Sequence, residues 1–379
     1  MSAGIRRISM PMIGFIPVSH GAEKIKNEAG NAVKMLFDVG KNMRIALGII
    51  GKEHKYMHAL ILLLACESVF GRSVESKVEG PSVAVSKVAG RYGFSSYDAH
   101  GKRITLRKRF NVLEMEGDSR RASFNHVDFW LSGAPVRSWG RWTMLQNDVD
   151  KMLAPLLNPS NVVKGEDYGV IVLDPGHGGE DKGANDMRRG IQEKRITLEL
   201  ANAVRDILRH YDIEVRLTRR QDNNMELDER CQYATRMRAD VFVSIHLNSA
   251  DSSEPSGVET HILPPAGCPI TSNTRITARD RVAYPGNRHD GANMVLGYML
   301  QKSLLKHTRA EDRGVRRSRF YVIKCAPCPA ALVECGFISN RKEREKLMQS
   351  EYKDRIAKAL AEGIIAYLNT VKRAHNITP

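Results

Sequence analysis

Long apolar runs, paired cysteine motifs and nucleic-acid-binding signatures are scarce or absent in this 379-residue chain. Each absence removes a class of protein. A membrane-spanning helix needs about 20 consecutive apolar residues, and the longest candidate, from Tyr56 to Cys66, is too short. Six cysteines, Cys66, Cys231, Cys268, Cys325, Cys328 and Cys335, are too few and too scattered for a disulfide scaffold. The single CxxC, Cys325-Ala-Pro-Cys328, has no second CxxC and runs into Pro329, so it reads as a loop feature rather than a redox pair or half a zinc site. No zinc-finger spacing, basic zipper or aromatic RNP-like run is present. The net charge of +15 therefore points to a polyanionic partner, such as anionic lipid or an acidic envelope polymer, without supporting a nucleic-acid binder. A hydrophobic share of 42% with 27% charged residues is that of an ordinary globular protein, long enough for about two domains.

Residues 1–76 form an N-terminal extension. Within it, the short apolar run matches a signal-peptide core, with Arg44, Lys52 and Lys55 as its positive flank and Val69-Phe70-Gly71 as a small-residue cleavage site. The signal segment spans about 43–71, and Met43 or Met57 would serve as its start. Leu63-Leu64-Ala65-Cys66 also has the form of a lipobox, in which Cys66 would carry a lipid tether. An exported protein of the periplasm or cell envelope is expected.

Residues 77–160 read as a small α+β module. A helical stretch near 83–92 precedes short alternating runs at 103–106, 112–115, 122–124 and 127–131, and apolar spacing at Val149, Met152, Leu153 and Leu156 closes the unit with a helix. The pattern resembles the small N-terminal domain of copper amine oxidases, a module of envelope proteins, and implies a binding or scaffolding role. No His or Cys cluster for a metal stands here.

After a polar linker the rhythm changes. Apolar strands at 170–173, 214–218, 241–245, 258–263 and 330–333 alternate with amphipathic helices at 194–210, 227–238 and 294–307. This predicts an α/β fold with a mainly parallel, mixed sheet and helices on both faces, whose chemistry gathers at the carboxyl ends of the strands. Three polar residues leave such ends: His177 after strand 170–173, His246 after strand 241–245, and Glu334 after strand 330–333. Glu193 opens the long helix. Two imidazoles and a carboxylate suit Zn²⁺ with one position left for water, and a second carboxylate can carry the proton. Spacing alone does not say which glutamate does which.

Several stretches, in order, resemble the zinc-dependent N-acetylmuramoyl-L-alanine amidases of the amidase 3 type. They are Leu173-Asp174-Pro175-Gly176-His177-Gly178-Gly179, Glu193-Lys194 with Leu198, Leu217-Thr218-Arg219, Leu227-Asp228-Glu229-Arg230, Ala239 through Asn248, and Val333-Glu334-Cys335-Gly336-Phe337-Ile338-Ser339-Asn340. The resemblance covers a catalytic domain at 165–373. It implies one Zn²⁺ held by His177, Glu193 and His246, Glu334 as the catalytic carboxylate, and peptidoglycan as substrate. The bond cut would be the amide between the lactyl group of N-acetylmuramic acid and L-alanine, and a regulatory protein partner is conceivable. A zinc peptidase cutting within the stem peptide and a non-catalytic wall-binding protein are the competing readings. Asp174 is open between orienting His177 and capping a turn, Asn248 between substrate and its own loop, and Arg219 between a family role and the scaffold. His261, His289 and His307 are expected at the surface. The polar stretch 264–293 lacks the apolar period of an inhibitory helix, and Tyr284-Pro285-Gly286-Asn287-Arg288 is expected as a substrate-facing rim.

Overall fold

The computed structural model describes residues 80–161, 169–186 and 189–375. The 1–76 extension, with its signal segment and Cys66, lies outside the described residues. Among those described, no helix is long and apolar enough to cross a membrane.

The chain opens with β1 (Ser82–Ala84) and α1 (Val85–Arg91), then β2 (Ser96–His100), β3 (Arg103–Lys108), β4 (Asn111–Glu116), β5 (Arg121–Phe124), β6 (Val127–Trp130), β7 (Val136–Ser138) and β8 (Arg141–Leu145). A helical run over 146–157 contains a π-helical turn at Val149–Leu153. Next come β9 (Val170–Pro175), β10 (Asn185–Asp186), β11 (Ile191–Gln192), α2 (Glu193–Arg209), β12 (Glu214–Leu217), α3 (Leu227–Arg236), β13 (Val241–Asn248) and β14 (Val258–Ile262). The chain finishes with α4 (Asp290–Thr308), β15 (Asp312–Arg317), α5 (Tyr321–Lys324), β16 (Ala330–Phe337), α6 (Arg341–Leu347) and α7 (Ser350–His375).

One sheet dominates, with strand order β12-β9-β13-β16-β14-β15-β6-β5-β4-β3-β2. β12, β9, β13 and β16 are parallel, β14 runs against β16, and β15 is parallel to β14. The α/β class with a mixed sheet flanked by helices is thus as expected. β9 is apolar from Val170 to Leu173 because both its faces are covered: Ile171 and Leu173 join one hydrophobic cluster and Val172 the other. On α2, Ile196, Leu200, Val204 and Leu208 recur at helical spacing and are buried against that first cluster. Cys231 and Ala234 of α3 and Val322 and Ile323 of α5 cover the opposite face.

Two findings depart from the pattern read off the sequence. β15, Asp312-Arg313-Gly314-Val315-Arg316-Arg317, is a strand despite having one apolar residue. It also joins the 77–160 stretch to the rest: β15 pairs in parallel with β6 at Val315 and Phe129, and β6 to β2 continue as an antiparallel meander. The stretch read as a separate module therefore supplies five strands of the main sheet. Beneath the junction, the Arg317 guanidinium donates to Ser132 Oγ at 2.6 Å and lies 3.4 Å from Asp148, with both charged side chains essentially inaccessible.

Candidate metal and catalytic site

Because β9, β13 and β16 are parallel, their carboxyl ends open on one edge. His177 leaves β9 in a glycine turn, with its own backbone left-handed at φ 62°, a conformation His tolerates better than most residues. His246 lies inside β13, and the register sets it opposite Glu334 of β16. Glu193 is the first residue of α2, where a helix N-terminus favours a carboxylate. It is also pinned by backbone: Leu247 N–H donates to Oε1 and Ala184 N–H to Oε2, both at 2.8 Å.

These pieces converge. Glu193 Oε1 is 3.2 Å from His177 Nε2 and 3.0 Å from His246 Nδ1. The two rings meet edge to face at 4.9 Å between centroids. One donor atom each from His177, Glu193 and His246 lies within 4.8 Å of the others, a set that could hold a metal ion. Burial opposes the Glu193 charge, but the two imidazoles outweigh it and bring the carboxyl down to about 2. Burial likewise opposes protonation of His177, and the carboxylates of Glu193 and Asp181 more than compensate, raising it. Glycine is required around this set. A Cβ on Gly183, itself at φ +64°, would come within 2.5 Å of Glu193 Oε2 and 2.6 Å of the His177 ring; one on Gly176 would come within 2.3 Å of the His246 ring.

Glu334 stands beside the cluster. Its residue is half-buried, yet Oε2 is sealed from solvent and has no hydrogen-bond partner among the described residues. Burial, with the charges of Glu193 and Glu259 added, raises its proton affinity well above that of an ordinary carboxyl.

Asp174, Arg219 and Asn248 each have defined partners. Asp174 makes no hydrogen bond to His177 among the described residues. It is buried and accepts from Thr218 Oγ1 at 2.6 Å, Arg230 Nη1 at 2.7 Å and Ser244 Oγ at 2.7 Å. The partner of His177 is Asp181, whose Oδ2 lies 2.7 Å from Nδ1; only its place four residues on in the glycine turn could have signalled it. Arg219 serves the scaffold through carbonyls rather than a salt bridge, donating to Pro175, Gly176 and Lys194 oxygens at 2.7–3.0 Å. Asn248 holds Glu259, its Nδ2 being 2.9 Å from Oε1.

Glu259, unnoticed in the sequence, is buried on β14 in register with Glu334. His261 is not a surface residue: it is buried between Ser318 Oγ at 2.8 Å and Glu259 Oε1 at 3.0 Å. His307 is mostly covered and meets Glu362 at 2.7 Å, while half-buried His289 meets the Pro327 carbonyl at 3.0 Å. The 284–288 rim is also corrected. Gly286 packs on the Ile323 carbonyl, Asn287 donates to Pro264 O, and Asn293 reaches Ala330 at the amino end of β16. That end of the strand is opposite the one bearing Glu334. Cys325 and Cys328 are free thiols, and burial pushes that of Cys328 far up, which makes it inert.

The sequence pattern described as N-acetylmuramoyl-L-alanine amidase matches residues 171–366. The chain is 35% identical over 208 residues to N-acetylmuramoyl-L-alanine amidase LytC of Bacillus subtilis (strain 168), covering 55% of this chain but only 36% of that relative. It is 31% identical over 221 residues to N-acetylmuramoyl-L-alanine amidase AmiA of Escherichia coli (strain K12), covering 53% of this chain and 76% of the relative. Among solved structures, the catalytic domain of CwlV, an N-acetylmuramoyl-L-alanine amidase from Bacillus (Paenibacillus) polymyxa var. colistinus, aligns with a TM-score of 0.45 at 33% identity, over 53% of this chain and 99% of that one. With just over half its length matched in this way, the chain belongs to the N-acetylmuramoyl-L-alanine amidase family.

Proposed function

We propose that the protein hydrolyses the amide between the lactyl group of N-acetylmuramic acid and L-alanine of the peptidoglycan stem, with one Zn²⁺ held by His177, Glu193 and His246. The observation that carries this reading is the half-buried Glu334, its Oε2 sealed and unpartnered among the described residues, one strand from a convergent His/Glu/His set. Two nitrogens and one carboxylate oxygen match the preference of a catalytic zinc site, in which three protein ligands leave a position open. When bound there, Zn²⁺ supplies Lewis acidity to the oxygen atoms brought to it.

The chain's own residues do the rest. Asp181 holds the His177 ring, and the Leu247 and Ala184 amides hold Glu193, so the donor set is preorganised. Glu334 takes the proton of the attacking water and delivers it to the leaving nitrogen as the C–N bond breaks. Its raised proton affinity suits the second half of that cycle. The names of LytC and AmiA favour this amide over a cut within the stem. A peptidoglycan substrate requires export, which the 43–71 segment would provide, placing the enzyme in the periplasm or cell envelope.

Purified peptidoglycan digested with and without a zinc chelator, followed by mass analysis, tests the proposal. A free muramyl lactate and an L-alanine N-terminus, both lost with chelator, are expected. A cut inside the stem identifies a peptidase instead, and intact sacculi with zinc present overturn the reading.

A further inference from the structure

The face of the sheet that carries Glu334 continues beyond it. Register sets Glu334 opposite Glu259 and Leu332 opposite His261 on β14. His261 in turn lies opposite Arg316 of β15. Val315 faces Phe129, so Arg316 comes beside Trp130 of β6, and its guanidinium lies 5.4 Å from the Trp130 ring centroid. One row of side chains thus runs from the candidate catalytic carboxyl into the strand contributed by the 77–160 stretch.

Along that row Glu259 is already committed. Its Oε1 takes Asn248 at 2.9 Å and His261 at 3.0 Å, and its Oε2 takes Arg313 Nε at 2.8 Å. Arg316 keeps only a longer ion pair with Glu259. Its side chain is only 20% exposed, its nearest carboxylate oxygen is 3.6 Å away, and no hydrogen bond reaches it from any described residue. A guanidinium has five donors and cannot discard its charge. None of its nitrogens is among the sealed, unpartnered atoms, so those donors open to solvent, where an incoming acceptor can take them. Lying on an indole ring leaves the planar edge free for a bidentate acceptor, the geometry by which arginine selects carboxylates.

We propose that Arg316, supported by Trp130, receives a carboxylate of the stem peptide, which makes the 77–160 stretch part of substrate recognition. The proposal rests on the amidase reading above. Its span agrees: two strand spacings across and two residues along the strands put Arg316 about 12 Å from Glu334, and each extended residue covers roughly 3.3–3.6 Å before its side chain is added. A carboxylate on the second or third stem residue therefore arrives at Arg316 when the scissile nitrogen is at Glu334.

The test uses the full, zinc-loaded chain and two synthetic N-acetylmuramoyl-L-alanyl peptides, one with a free carboxylate on the second and third residues and one amidated at both. Wild type should favour the free acid by roughly 10- to 100-fold in kcat/KM, the range of a charge-assisted pair. Arg316→Gln should abolish that preference through KM, and Arg316→Lys should keep part of it. Trp130→Ala, altered on the other strand, should weaken the preference by about 2- to 5-fold, and it serves as the second variant should Arg316→Gln fail to fold. Equal turnover of both peptides by wild type, or an undiminished preference in the variants, overturns the proposal. Calorimetric binding of both peptides to Glu334→Gln protein separates the two readings. If wild type cleaves neither peptide but the free acid binds more tightly, the amidase reading fails while the subsite stands; equal binding removes the subsite.

Discussion

A carboxyl oxygen sealed from water and bonded to nothing among the described residues, as Glu334 Oε2 is, loses solvation without recovering it, so the fold around it holds Glu334 against a local cost. Its neighbours differ in kind: Glu193 is saturated by two amides and two imidazoles, and among the described residues the Asp181 side chain reaches only His177 and its own turn. Glu334→Gln should therefore leave zinc stoichiometry intact while kcat falls by about 10²- to 10⁴-fold, the usual share of a general acid–base group; metal analysis beside a muropeptide assay checks both halves. Asp181→Asn should act on the metal instead. Loss of such a supporting partner typically costs 10- to 100-fold in affinity, and because Asp181 is 59% exposed the expected loss is nearer 10-fold, read by chelator competition. The sequence displayed His177, His246, Glu193 and Glu334 because each follows an apolar run or opens an amphipathic helix. It could not display Glu259 or the choice of Asp181 over Asp174, since those depend on register and on how the glycine turn folds back.

At the scale of elements, the turn bearing His177 is clamped from behind. Arg219 holds the Pro175 and Gly176 carbonyls, Arg230 holds those of Pro175 and His177, and Asp174 neutralises Arg230 from within the sheet. Burial raises the cost of the Asp174 charge, but Arg230, Thr218 and Ser244 outweigh it and hold its pKa below the ordinary carboxylate value. A depressed native pKa contributes stability that is present above the unfolded value, near 3.9. That contribution disappears as pH falls through the lower native value, so Asp174→Asn should lower Tm at pH 7 while the gap to wild type narrows in acid. Gly183→Ala tests the other side of the turn: the added methyl meets Glu193 and His177 from a left-handed backbone, so zinc content should drop well before the helical signal does. The apolar strands β9, β13 and β16 were legible because both faces are covered. β15 was not, as its charged residues are satisfied by neighbours far away in sequence, such as Asp148 for Arg317 and Glu259 for Arg313.

At the scale of the whole molecule, β15 decides whether residues 80–161 form an appended module or part of one cooperative body. Pairing with β6 covers an otherwise open sheet edge, and the Tyr298 hydroxyl of α4 donates to the Phe124 carbonyl at 3.0 Å across the same seam. The Arg317–Asp148 pair lies under it at 1% and 0% exposure, with Asp148 also accepting from the Ser132 and Gly133 amides. Removing one member of a buried pair strands the other, at a cost of about 3–5 kcal/mol. Asp148→Ala should therefore destabilise the protein by that order, and the useful question is which part unfolds. The chain's three tryptophans all lie within residues 80–161, Trp130 on β6, Trp142 on β8 and Trp139 in the exposed β7–β8 turn, whereas α2, α4 and α7, the long helices, belong to the other part. Tryptophan fluorescence consequently reports on residues 80–161 and far-UV circular dichroism mainly on the helices of the other part. In a urea titration the two signals should coincide in wild type and shift together in Asp148→Ala, as a single cooperative unit requires. A fluorescence transition that moved alone would show that the meander melts by itself, and the shared sheet would then be a contact between domains rather than one fold.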